Sequence, residues 1–253
     1  MAVTTCNEGH GRRAGRVIAA TAVLLALCAT ALLVGANAGP ARAANANLIG
    51  KTKQTPKAKC PKPERQCQAV GRLTGFQARA SGEKNPYVVP RSGELVAWSV
   101  DLTRKPKPVQ RRVFGKLYSH KPFGEASSAR ITVLKKKDGK KFKLKSHSPA
   151  VDLTESIGEQ PIITLGEPLR VKKGDVVAIT LPTWTFAFAI GLPEAANKWR
   201  ASRSSKRCEV ARSGSGLKNL KKSKPQEKVG ASRTYGCTYS GARLLYWGYF
   251  EPS

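Results

Sequence analysis

Residues Gly166 to Pro182 read GEPLRVKKGDVVAITLP, and their pattern decides the fold class. Leu169 and Val171 alternate with polar neighbours, as they do in a strand with one covered face. Lys172-Lys173-Gly174-Asp175 carries turn chemistry, with a glycine free to take positive φ beside an aspartate that can bond its own backbone. Val177, Ile179 and Leu181 then share one face of a second strand. Pro182 is expected to end that strand, because proline donates no ladder hydrogen bond.

The same pattern recurs on both sides of this stretch. In Leu95 to Leu102, the residues Val96, Trp98, Val100 and Leu102 fall on one face of a half-buried strand, after the turn Pro90-Arg91-Ser92-Gly93. Ala129 to Ser148 reads as a hairpin that turns at Lys137-Asp138-Gly139-Lys140, with Ile131, Val133, Phe142 and Leu144 facing in. Further strands are expected at Arg112 to Ser119, Gln160 to Leu165, Thr183 to Ile190, Arg233 to Tyr239 and Ala242 to Phe250. No window carries helical periodicity. Short strands at this spacing, separated by Gly, Pro, Asn and Ser, predict an all-β, antiparallel, jelly-roll-like β-sandwich.

Composition divides the chain. Arg12, Arg13 and Arg16 precede the apolar run Val17 to Val34, which Ala41-Arg42-Ala43 follows. Residues 1–43 therefore read as a signal peptide that directs export, with an N-terminal membrane anchor as the alternative. Residues 44–66 form a basic Pro/Lys linker, expected to be extended. The sandwich domain covers 67–253 and holds a basic insertion over 200–230, expected to be a mobile loop. The chain has 45 basic and 16 acidic side chains; removing the leader takes away four arginines and Glu8 and leaves 41 against 15, a net +26. Such a charge attracts polyanions over long range, in a manner that falls with salt.

Seven lysines, Lys135, Lys136, Lys137, Lys140, Lys141, Lys143 and Lys145, crowd the hairpin against the single Asp138. They form the candidate contact surface for an anionic cell-wall polymer or acidic glycan; nucleic acid would be held only non-specifically. Four cysteines follow the leader, an even number in an exported chain, so disulfides are the first reading. Of three possible pairings we favour Cys60 with Cys67, which is local, and Cys208 with Cys237, which staples the basic insertion. Trp184, Phe186 and Phe188 share one strand face; they are core or, with Trp184 the most exposed, a platform for neutral carbohydrate.

Enzyme chemistry has weaker support. Cys237 in Ser-Arg-Thr-Tyr-Gly-Cys has no histidine beside it to activate a thiolate. His120 and His147 are isolated, so no metal or cofactor is expected. A cell-wall-acting enzyme is the remaining alternative.

The segments PYVVPRSGELVAWSV, SARITVL and PLRVKKGDVVAITLPTW, with the cysteine-bounded tail, together resemble secreted β-sandwich proteins encoded in actinobacterial genomes. The resemblance runs from about Cys60 to the C-terminus and implies fold and export, but no chemistry.

Overall fold

The computed structural model describes residues 46–59, 69–186, 188–208 and 223–253. Residues 1–45, where a signal peptide is expected, and Cys60 and Cys67, expected to pair, lie outside the described residues. Strands make up 49% of the structure and helix only 8%, in antiparallel sheets that include a curled half-barrel.

In chain order the strands are β1 (Asn47–Ile49), β2 (Val70–Ala80), β3 (Glu83–Lys84), β4 (Gly93–Val100), β5 (Ser128–Lys136), β6 (Lys141–His147), β7 (Val151–Asp152) and β8 (Ile162–Val171). They continue with β9 (Val176–Thr185), β10 (Phe188–Ile190), β11 (Lys198–Ala201), β12 (Ser232–Thr234), β13 (Cys237–Ser240), β14 (Ala242–Leu244) and β15 (Tyr246–Pro252). The smaller sheet has the order β1-β15-β4-β8. The larger has β12-β6-β5-β9-β2-β11-β13, with β3 on β2 and β7 on β5; β10 and β14 form a separate ribbon.

One apolar core lies between the two sheets. Ile131 and Val133 of β5 and Val177, Ile179 and Leu181 of β9 face Leu95, Trp98 and Val100 of β4 and Phe250 of β15. The Tyr246 hydroxyl crosses between the sheets and donates to the Val177 carbonyl at 3.0 Å. In β4 the register shifts between Leu95 and Ala97. The bulge places Leu95 in the core instead of the expected Val96, and β4 is buried along nearly its whole length rather than on one face. The same irregularity lifts residues 165–168 of β8, Pro168 among them, out of the ladder, because pairing passes directly from Leu169 to Thr164.

The turn at Lys172–Asp175 does not close a hairpin. It carries the chain from β8 in one sheet to β9 in the other. Gly174 has φ +85°, and Asp175, 4% exposed, accepts the Lys172 backbone N–H at 2.8 Å and an ion pair from Lys145. Nor does Pro182 end its strand; β9 runs on to Thr185. Pairing with β5 stops at Thr180, and pairing with β2 shifts between Gly71 and Leu73, around the left-handed Arg72. The missing proline N–H therefore falls where the ladder is already interrupted.

Three further expectations are corrected. Arg112 to Ser119 is not a strand; Pro108–Tyr118 is an α-helix, α1. Pro108 sits in its first turn, and the Gln110 side chain accepts the Lys107 backbone N–H at 3.0 Å, so local signals start a helix here. Phe114, Leu117 and Tyr118, spaced three and four apart, pack on Trp184 and Phe186. The stretch read as a linker supplies β1, and Lys59 bridges Ala189, so it is tied to strands at two points, with an irregular segment over 50–58 between them. The basic insertion is ordered where it is described. Lys198–Ala201 forms β11, Arg203 is 6% exposed, and Gln226, 2% exposed, donates its backbone N–H to Thr74 Oγ1. Residues 209–222 of that insertion lie outside the described residues.

The core tyrosines make stability sensitive to alkali. Burial raises Tyr118 to about 12 and pushes Tyr87, Tyr235 and Tyr246 well above the ordinary phenol value. An unfolded tyrosine ionises near pH 10, so each contributes stability that is full below that pH and lost as pH rises through the folded value. We expect phenolate absorbance of these rings to appear only together with loss of near-ultraviolet circular dichroism above about pH 11. Titration of all six tyrosines near pH 10 with the fold intact would contradict this burial.

Candidate anion-binding groove

The expected lysine hairpin forms: β5 and β6 pair antiparallel, with Leu134 opposite Leu144 and Lys136 opposite Phe142. Ile131 and Val133 enter the core between the sheets. Phe142 and Leu144 do not; a register shift between Val133 and Leu134 places them on the outer face, in a second cluster with Leu134, Phe76, Val176 and Tyr235. Phe76, Phe142 and Tyr235 pack ring against ring at 5.0 to 5.5 Å.

The seven lysines are thereby divided. Lys135, Lys136, Lys137, Lys140 and Lys141 are exposed, whereas Lys143 and Lys145 are half-buried. Lys135 stands opposite Lys143, and Lys145 is neutralised by Asp175. Lys136 alone of the seven reaches the outer-face groove.

This groove encloses about 420 Å³ on the outer face of the larger sheet. Phe76, Ala78, Val88, Phe142 and Val176 give it an apolar lining, beside the polar Asn85 and Thr238. Five cations join them, Arg79, Lys84, Lys136, Lys198 and Arg200, with no carboxylate in the lining. Sequence reasoning missed four of these five cations, because they come from β2, β3 and β11 and meet only through sheet register.

That register is unusual. Lys198 of β11 pairs with Arg79 of β2, and Arg79 pairs with Lys84 of β3, so three cations stand side by side across three strands. Like charges directly opposite in a sheet destabilise it. Arg79 donates to the Ala195 carbonyl at 3.2 Å, and the Arg200 Nε is buried without a hydrogen-bond partner. Among the described residues, Lys84, Lys136 and Lys198 make no ion pair. A groove of this kind holds positive potential over a surface that sheds water readily, an arrangement that attracts an anion with a carbon skeleton.

Other candidates are placed elsewhere. Trp184 is 2% exposed beneath α1; its Nε1–H donates to the Glu125 carbonyl at 2.7 Å, and its ring meets Phe186 at 5.3 Å. It presents no ring face to a sugar. Cys208 and Cys237 form a disulfide, Cys237 being fully buried, so that sulfur is not a free nucleophile. Arg104 stacks 4.4 Å over Phe186 with its three guanidinium nitrogens closed off from solvent, and burial lowers it to about 10. Unlike the groove cations, it is not offered to a ligand. Among the described residues no group of three or more His, Cys, Asp or Glu could hold a metal ion, and no helix is long and apolar enough to cross a membrane.

No protein-family model, curated protein or solved structure matches this chain.

Proposed function

We propose that this is an exported, non-catalytic protein that binds an anionic cell-envelope polymer through the hairpin lysines and the groove beside them. One observation carries the reading: five cations from four strands line a single groove without a carboxylate, three of them in cross-strand register. A sheet maintains such like-charge opposition at a cost in stability, and an arriving anion removes that cost. The exposed Lys135, Lys137, Lys140 and Lys141 extend the positive field beyond the groove and steer a long polymer towards it.

Retention on purified cell walls across a salt series tests this. Wild-type protein is expected to be held at low ionic strength and released by at least roughly tenfold as salt rises, because exposed charges are screened over about 8 to 10 Å. Changing Lys135, Lys136, Lys137, Lys140 and Lys141 together to glutamate is expected to abolish low-salt retention. Retention that ignores salt, or that survives this charge reversal, overturns the reading.

A further inference from the structure

We infer that α1 docks the protein on an anionic lipid surface, its two outward valines entering the headgroup layer while the cations around them meet the charge of the lipids. This surface is separate from the groove. α1 packs at the Trp184 end of β9, whereas the groove takes Val176 from the other end of that strand.

Helix geometry defines the surface. Phe114, Leu117 and Tyr118 turn inward onto Trp184 and Phe186. At about 100° per residue, Val109, Arg112, Val113 and Lys116 fall together on the opposite face, and all four are exposed. Among the described residues Val109 is the most exposed large apolar side chain, at 59%, and Val113 stands one turn on at 55%. A single exposed valine is ordinary. Two adjoining ones on the outermost face of a helix, flanked by cations, form the pattern of a helix that lies in a membrane interface.

Charge complementarity names the occupant. From Leu102 to Gly124 the sequence holds no Asp or Glu. Lys105, Lys107, Arg111, Arg112, Lys116 and Lys121 are all exposed. Glu125, which follows, lies against the buried Gly115, off the outward face. A basic cluster of this size beside an amphipathic helix is drawn to the negative surface of an anionic bilayer. A soluble polyanion would engage the same cations but leave both valines in water, whereas a bilayer takes both kinds of side chain at once. With 11 residues, α1 is about 16 Å long, enough to lie along such a surface and too short to cross it.

The experiment measures co-sedimentation of the exported protein with phosphatidylcholine vesicles and with vesicles of phosphatidylcholine and phosphatidylglycerol in about equal parts. Wild type is expected to bind the anionic vesicles at least roughly tenfold more tightly than the neutral ones. Val109→Gln with Val113→Gln keeps every charge, and Arg112→Gln with Lys116→Gln keeps both valines; each pair is expected to lose at least roughly tenfold on the anionic vesicles. On soluble linear polyphosphate, which reads charge alone, the valine pair should stay within roughly threefold of wild type. Glutamine is as good a helix former as valine and all four positions are exposed, so both variants should melt with wild type, which separates lost docking from lost folding.

A valine pair that binds anionic vesicles like wild type overturns the inference, even where the cation pair has lost binding, because such a surface serves a soluble polyanion. Equal binding of wild type to neutral and anionic vesicles overturns it as well. Wall retention through the groove is read in its own assay, so either failure leaves that reading as it stands.

Discussion

Trp184→Ala is expected to lower stability by about 3 to 5 kcal/mol, and to do so whether or not any ligand is present. The ring is 2% exposed and closes a cluster with Phe114, Phe186 and Tyr118, and the Ser127 hydroxyl donates to the Trp184 backbone carbonyl at 2.8 Å. Removing it leaves a cavity under α1 and takes away the surface on which that helix rests. For a domain of this size the loss corresponds to a fall in Tm of roughly 10 °C. Thermal unfolding checks it. A variant that melts like wild type yet loses carbohydrate binding would put Trp184 at the surface and restore the sugar-platform reading.

The second large effect belongs to the Cys208–Cys237 disulfide, whose sulfurs join residues 29 apart in sequence. On the chain-entropy account, a loop of that length stabilises by about 3 to 4 kcal/mol. Cys208→Ala with Cys237→Ala is expected to shift the urea midpoint down accordingly. The effect should reach the groove, because Cys237 begins β13, β13 pairs with β11, and β11 carries Lys198 and Arg200. Loss of affinity alongside stability is therefore expected in this variant. A thiol count by mass spectrometry that finds Cys237 free in wild-type protein would refute the cross-link.

Much of the fold was legible because alternation survives in a half-covered strand. Val177, Ile179 and Leu181, and the hairpin around Lys137 to Lys140, could be read directly. What escaped was set by longer-range events. Alternation in Leu95 to Val100 is broken by a bulge that depends on β8. Phe142 and Leu144 are buried as expected, yet on the opposite face, because the sheet carries a core on both sides. In α1, basic residues stand between the apolar ones and imitate a strand; only Pro108 and the spacing of Phe114, Leu117 and Tyr118 betray the helix.

The candidate site was legible to a lesser degree. A run of lysines is visible in any sequence, and Lys136 was among those singled out. Its partners were not, since Arg79, Lys84, Lys198 and Arg200 sit one or two at a time in unremarkable segments. Nothing local marks them as neighbours; the antiparallel pairing of β11 on β2 and β2 on β3 does.

The bulge at residues 165–168 of β8 also bears on how copies of this protein meet one another. β8 is an outer strand of its sheet, with one side of its backbone unpaired, and such a side can template the growth of fibrils from chain to chain. Midway along this strand the pairing with β4 is broken, Pro168 has no N–H to give and Glu167 adds charge. A second chain arriving at that side meets a proline without an N–H and a charged neighbour, which makes this edge a poor template for a further strand.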